Sequence, residues 1–292
     1  MAALVSDLFS VSGLVCVVTG GGTGIGKWTA EAFDANGAAK VFILGRRTAE
    51  LQKVAKGAPN STIIPVTCDV TNRESLQAAV AEIRKHTTFI NVLVSNAGYL
   101  ASTKFMKVPH EPGSAEDVAK FLWASEAEDK GVFDTNVESV YWLFTAFLTL
   151  LHAGNTEESS VYRQKEIDSQ FIAVASLSGL LKKTLTGYMY NASKAACVHF
   201  AKGVSHDFAH LNIRANTICP GAFVTGMTDK FLPPVAEKRG GMPVETHPAG
   251  RTGTAEDVAG LMLFLASRAG AYMNGSVINI DGGHLSMTPS VT

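Results

Sequence analysis

Seven short apolar runs separated by segments of helix length constrain this chain more than any other feature: Leu14–Thr19, Val41–Leu44, Thr62–Val66, Ile90–Val94, Phe171–Ala175, Ile213–Ile218 and Ser276–Ile280. Within them the apolar residues are continuous rather than alternating. A strand apolar on both faces needs cover on both faces, which a parallel sheet sandwiched between helices supplies. The expected fold is α/β, a doubly wound parallel sheet of seven strands with helices on both faces. Sheets of this kind bind ligands at the C-terminal ends of their strands. The 292 residues suit a single domain and are too few for two comfortable ones.

The first run leads directly into Thr19-Gly20-Gly21-Gly22-Thr23-Gly24-Ile25-Gly26, and a helix-compatible stretch, Lys27–Ala35, follows. Strand, glycine turn and helix in that order make a Rossmann-type dinucleotide site. Glycines at 20, 24 and 26 permit a tight turn and close approach of backbone to a pyrophosphate, while the helix start offers unpaired N–H groups and a positive dipole end.

A second constellation lies further along. Tyr190 and Lys194 are four apart in Tyr190-Asn191-Ala192-Ser193-Lys194, and Ser176 follows the fifth apolar run. If 188–209 is helical, the phenol and the ammonium share one face about 5 to 6 Å apart. The ammonium then stabilises the phenolate, so that Tyr190 can give or take a proton during a reaction.

Together these segments resemble the short-chain dehydrogenase/reductase family nearly end to end. Thr19–Gly26 is similar to its cofactor turn, and Cys68-Asp69-Val70 to its adenine-contacting acidic position. Ser95-Asn96-Ala97-Gly98 resembles its NNAG segment, with Ser95 replacing the first Asn. Asn136, in Phe133-Asp134-Thr135-Asn136, matches a fourth catalytic position. Ser176, Tyr190 and Lys194 match the catalytic Ser, Tyr and Lys, although the interval from Ser176 to Tyr190 is one longer than the commonest. Ser178 therefore competes, and Ser176 is preferred because Gly179 follows it by three residues. Pro220-Gly221-Ala222-Phe223-Val224-Thr225 resembles the nicotinamide-binding PGxxxT, and Asp281-Gly282-Gly283 the C-terminal DGG.

The resemblance implies hydride transfer between a nicotinamide and a carbonyl or carbinol carbon. Tyr190 would be the acid-base group, and Ser176 would hold the oxygen. Lys194 would support Tyr190 and hold the nicotinamide ribose, and Asn136 would organise a water linking Lys194 to solvent. The cofactor-binding set it implies comprises Gly20, Thr23, Gly24, Ile25, Gly26, Asp69, Val70, Asn96, Ala97, Gly98, Tyr190, Lys194, Pro220, Gly221, Val224 and Thr225. A cyclase, an isomerase or a regulatory binding protein on the same fold is the alternative, although such proteins often lose the Tyr or Lys.

Cofactor choice turns on the end of the second strand, where Gly45 is followed by Arg46 and Arg47. A carboxylate there would hold a ribose hydroxyl and repel a 2′-phosphate, whereas guanidinium groups attract the phosphate and can bond it bidentately. NADP(H) is expected over NAD(H), and an NAD-linked alcohol dehydrogenase is the alternative.

Net charge is −1 with no basic block, which favours neither nucleic acid nor an anionic membrane surface. Charged residues make up only 17%, a deficit that points to a buried subunit interface and hence to a homodimer or homotetramer. The expected partner is a small-molecule carbonyl substrate. Cys16, Cys68, Cys197 and Cys219 have no ligand spacing and read as buried thiols. Met1–Gly13 has no positively charged leader, so a soluble location in the cytoplasm is expected. His206 and His210 lack a third ligand and read as surface histidines, with no metal.

Two stretches read as insertions: Lys104–Gly131, with Pro109, Pro112 and Gly113, and Asn155–Ser169, a polar segment expected to be solvated. A third, Ala222–Pro248, is punctuated by Pro233, Pro234, Gly240, Gly241 and Pro243 directly after the nicotinamide motif, and reads as a substrate lid. The candidate substrate walls, Tyr99–Val108, Leu177–Tyr188 and Ala222–Pro248, mix apolar residues such as Phe105, Met106 and Phe231 with Lys182 and Lys183. They suit a medium-sized, partly apolar ketone, with a 3-oxoacyl thioester also possible.

Overall fold

The computed structural model describes residues 4–101, 114–124, 131–184, 186–232 and 234–291. A seven-stranded sheet, parallel throughout, runs in the order β3-β2-β1-β4-β5-β6-β7. Its strands are β1 (Val15–Thr19), β2 (Lys40–Gly45), β3 (Ile63–Thr67), β4 (Val92–Ser95), β5 (Ser169–Val174), β6 (Ile213–Pro220) and β7 (Val277–Ile280). Each apolar run has become a strand, with its ends displaced by no more than a couple of residues. Every residue of β1, β4, β5 and β6 is buried, as continuous apolar character requires.

The alternation of side chains along each strand feeds two separate cores. Val15, Val17, Phe42, Leu93 and Phe171 face the helices Arg73–Arg84, Ser139–Thr156 and Tyr188–Asp207. Cys16, Val18, Val41, Ile43 and Val94 face Gly24–Ala35, Thr48–Gly57 and Ala255–Ala266. The side on which successive strands are added switches at β1, which pairs with β2 on one side and β4 on the other. That is the switch point at which a crevice opens beyond the strand ends.

One expectation holds only in part. The segment between Asn155 and Ser169 is mostly exposed, from Thr156 to Ser159 and from Arg163 to Glu166, but it is also anchored in the fold. Ser160, Tyr162 and Ile167 are buried, Tyr162 being in the short helix Val161–Lys165, and the Tyr162 hydroxyl donates to the Ala266 carbonyl at 2.6 Å. Asn91 links this segment to β1: its Nδ2 donates to Ser160 Oγ at 2.8 Å, and its Oδ1 accepts from Val15 N–H at 2.9 Å. Exposed residues such as Glu157 and Arg163 give the segment its polar composition, while a minority of side chains anchor it.

All four cysteines are free and buried, and burial pushes their thiols up. His206 and His210 are exposed, and among the described residues no group of three or more ligating side chains could hold a metal. No helix of the described residues is long and apolar enough to cross a membrane. Phe105, Met106, Pro109, Pro112, Gly113 and Pro233 lie outside the described residues.

Candidate active site

The glycine turn is held by the end of β4. Thr19 Oγ1 accepts the N–H groups of Asn96 and Ala97 at 2.9 and 3.0 Å, and Asn96 Nδ2 donates to the Thr19 carbonyl at 2.9 Å. Gly20 and Gly24 have φ of +67° and +54°, a region that favours glycine, and a Cβ on Gly20 would lie 2.7 Å from Asn96 Nδ2. The following helix starts at Gly24, earlier than the expected Lys27. Its N-cap, Thr23, makes no side-chain cap bond, and its first turn carries no acidic residue. First-turn N–H groups and the dipole are thus left for an anionic ligand, and the cradle fits a dinucleotide pyrophosphate.

Gly20, Thr23, Gly24 and Ile25 line a cleft of about 1050 Å³ across the strand ends. Gly26 does not line it. A Cβ there would strike the Asn96 amide and the Gly20 carbonyl, so this glycine serves the close packing of helix on strand end.

Following the sheet order, the cleft begins at Arg46, Arg47, Asp69 and Val70, beyond β2 and β3. Arg47 Nη2 donates to Thr23 Oγ1 at 3.3 Å from an exposed position. Partial burial pushes the Asp69 carboxyl up, but hydrogen bonds from the Thr71 hydroxyl and amide, with the Arg46 charge, outweigh it and hold the group below the usual range. Asn96, Ala97, Gly98, Pro220, Gly221 and Thr225 line the middle, whereas Val224 does not reach it.

Ser176, Tyr190 and Lys194 meet in the same cleft. The helix Tyr188–Asp207 starts after Gly187, at φ +99°, and so brings Tyr190 into its first turn. Lys194 is buried, its Nζ 5.8 Å from the centre of the Tyr190 ring and donating to the Val174 carbonyl at 3.1 Å. Ser176 caps the single turn Leu177–Gly179, its Oγ accepting the Ser178 N–H at 3.1 Å. Ser178 is more deeply buried, and Thr186 Oγ1 bridges its hydroxyl (3.0 Å) to Asn191 Oδ1 (2.8 Å). The two serines thus differ in what their hydroxyls already contact. A Cβ on Gly179 would come within 2.7 Å of the backbone at Lys194 and Ala195, so the serine turn rests directly on the lysine's helix.

Asn136 lies beneath the cleft without lining it, within a π turn, Asp134–Glu138, that leads into the helix Ser139–Thr156. Its Nδ2 donates to the Tyr99 carbonyl and to Ser193 Oγ. The place a Gly98 Cβ would occupy is 3.4 Å from both Asn136 Oδ1 and Lys194 Nζ.

Beyond β6 and β7 the cleft is walled by the 222–248 segment, through Phe223, Met227, Phe231, Leu232 and Met242, and by two histidines, His247 and His284. Sequence reasoning missed these histidines. They are single residues far apart in the chain, and the only signals were that His247 falls within the 222–248 segment and that His284 immediately follows Asp281-Gly282-Gly283.

Comparison with known proteins agrees with this architecture. Residues 20–284 match the family described as enoyl-(acyl carrier protein) reductase. The chain is 39% identical, over 98% of its length and 96% of the relative's, to short-chain dehydrogenase/reductase PhomF of Diaporthe leptostromiformis. It is 38% identical to short-chain dehydrogenase/reductase VdtF of Byssochlamys spectabilis, over 99% of its length and 98% of the relative's. The structure of the Pseudomonas aeruginosa RhlG/NADP active-site complex superposes with a TM-score of 0.76 at 26% identity, covering 95% of this chain and 98% of that one. The chain belongs to the short-chain dehydrogenase/reductase family of oxidoreductases.

Proposed function

We propose that the protein is an NADP(H)-dependent carbonyl reductase, in reverse a secondary alcohol dehydrogenase, acting on a partly apolar metabolite ketone. The observation that carries this is the meeting of Tyr190, Ser176 and a buried Lys194 in one cleft whose other end carries Arg46 and Arg47. Nicotinamide, when bound, supplies hydride to the carbonyl carbon or accepts it from the carbinol. Gly20, Thr23, Gly24 and Ile25 would hold the pyrophosphate, Asp69 and Val70 the adenine end, and Asn96, Ala97, Gly98, Pro220, Gly221 and Thr225 the nicotinamide end.

Tyr190 gives its proton to the carbonyl oxygen in reduction. Ser176 Oγ already accepts the Ser178 N–H, so its own hydrogen is left to donate to that oxygen and stabilise developing negative charge. Lys194 uses one donor on Val174, which leaves two for the ribose hydroxyls and a water. Asn136 would organise that water, its Oδ1 and Lys194 Nζ both lying near Gly98.

Arg46 and Arg47, following Gly45 at the end of β2, supply charge for a 2′-phosphate where an NAD-selective site has a carboxylate. The NADP complex of the Pseudomonas aeruginosa relative supports this choice. The 222–248 segment would close over the substrate. A cytoplasmic homodimer or homotetramer completes the proposal, and the half-exposed apolar residues of β7 and of the helix Ala255–Ala266 offer an interface.

The test is consumption of NADPH or NADH absorbance by purified protein with a ketone panel. Turnover with NADPH exceeding that with NADH supports the proposal. A preference for NADH makes it an NAD-linked alcohol dehydrogenase, and no turnover with either cofactor moves it to the non-redox proteins of this fold.

A further inference from the structure

The two histidines of the cleft are packed against each other, their ring centres 4.3 Å apart and their planes tilted by 42°. They come from different segments locked together by backbone: Ala249 N–H donates to the Gly282 carbonyl at 2.9 Å, and Gly283 is packed so closely on Pro248 that a Cβ would lie 3.0 Å from the proline ring. The rings are therefore placed by the fold and not by each other alone.

Nitrogen by nitrogen, three of the four ring atoms face protein. His247 Nδ1 is 3.0 Å from Thr246 Oγ1, and His284 Nε2 is 3.5 Å from Thr288 Oγ1. His284 Nδ1 is enclosed and has no partner among the described residues. His247 Nε2 likewise has none among them, and its residue lines the cleft. It is the ring atom of this residue without a protein contact among the described residues. The segment that ends at His247 also lines the cleft through the apolar Met227, Phe231, Leu232 and Met242.

From this placement we infer that His247 is the anchor for a hydroxyl or phenol group that the substrate carries at a distance from its reacting carbonyl, with His284 positioning the His247 ring. The inference rests on the ketone-reductase proposal and narrows its substrate to a hydroxylated, otherwise apolar ketone. A neutral hydroxyl fits better than a carboxylate. Burial, with the neighbouring His284, holds the His247 imidazole below its usual range, against a smaller effect of Asp281. The ring thus meets its ligand uncharged. Asp281, whose carboxylate accepts from Gly283 and Leu285 N–H at 3.0 and 2.7 Å, adds negative charge behind it that an anion would feel. Whichever tautomer Thr246 selects, a hydroxyl can answer it, since it both donates and accepts. A polar atom set in an apolar wall rejects analogues that leave it unpaired.

The test uses α-tetralone and its ring-hydroxylated and ring-methoxylated derivatives as probes, with NADPH, in wild-type enzyme, His247→Phe and His247→Gln. The wild-type kcat/KM should favour at least one hydroxy isomer over both its parent and its methoxy ether by about tenfold. That ratio should fall to near one in His247→Phe and be partly kept in His247→Gln, whose amide still hydrogen-bonds. Being a ratio within one protein, it does not move with the fraction folded. Binding of the same probes to the wild-type NADP⁺ complex, read from the histidine ring-proton signals in NMR, supplies a measurement independent of turnover. Selective hydroxy-tetralone binding without turnover sinks the reductase proposal and keeps the anchor. Turnover without discrimination, or discrimination that survives His247→Phe, sinks the anchor and keeps the reductase. Neither binding nor turnover of any probe overturns both.

Discussion

Asn136 grips the backbone of Tyr99 at both of its polar groups: Oδ1 accepts the Tyr99 N–H at 2.8 Å while Nδ2 donates to the Tyr99 carbonyl at 2.9 Å. A second bond from Nδ2 reaches Ser193 Oγ at 3.0 Å, one residue before Lys194. One side chain thus ties the segment after β4 to the helix that carries the tyrosine and lysine. Asn136→Ala removes a buried amide with its three hydrogen bonds and leaves the half-buried Tyr99 N–H and carbonyl without that partner, and should lower unfolding free energy by about 2 kcal/mol, measured by denaturant titration. Activity should fall with it, because Gly98 and Lys194 lose their common reference.

Removal of the phenolic hydroxyl should separate chemistry from binding. Tyr190→Phe should lower turnover by ~10² or more with NADPH affinity nearly unchanged, read from steady-state kinetics beside cofactor fluorescence titration. Ser176→Ala should follow it. Ser178→Ala, which breaks only a bridge to Thr186 and Asn191, should cost less. Near-native ketone reduction by Tyr190→Phe would remove the acid-base assignment, and a larger loss at Ser178 than at Ser176 would exchange the two serines.

Replacement of both Arg46 and Arg47 by Ala should weaken NADPH binding by about tenfold or more for each guanidinium, before salt screening, and leave NADH binding little changed. The wild-type preference for NADPH should also shrink as ionic strength rises. Equal changes for the two cofactors would return these arginines to the helix surface.

Asp257 offers a stability test away from the cleft. Its carboxylate takes two bonds from Arg251, at 2.6 and 3.0 Å, and caps the helix Ala255–Ala266 through the Thr254 N–H and hydroxyl. The Arg251 hydrogen bonds, against a smaller effect of burial, hold its pKa down at about 2. A depressed carboxylate stabilises the fold above its unfolded value and loses that contribution as pH falls through the folded one. The pair is partly exposed and screened, so Asp257→Asn should cost about 1 kcal/mol at neutral pH. The gap to wild type should narrow as pH falls from 3.8 and close below about 2, followed by thermal melts across that range.

Legibility in the sequence followed burial. Strands such as Val15–Thr19 announce themselves because both faces are enclosed, and the glycine turn because only a few residues can adopt the φ of Gly20 and Gly24. Long-range polar anchoring leaves no such trace. Tyr162 lies in a charged stretch, and its partner, the Ala266 carbonyl, is 104 positions away. The π turn at Asn136 and the Thr186 bridge that separates the two serines are likewise set by tertiary neighbours. His247 and His284 meet only because two loops close on each other, and no spacing rule anticipates that.

The position of β1 inside the sheet, between β2 and β4, shapes how the chain must be made. As it leaves the ribosome, β1 gains β2 early, with β3 beyond it, but its other edge waits for Val92–Val94, and Val15 N–H waits for Asn91, 76 positions on. Beyond that, β5 begins only at Ser169. Until then the nascent protein carries an open strand edge with its apolar faces half covered, the condition under which chains pair with the wrong neighbour. Closing such distant contacts is slow. Substitutions in β1 and β4 should therefore register first in the yield of folded protein during synthesis, before any change in the activity of molecules that have completed the sheet.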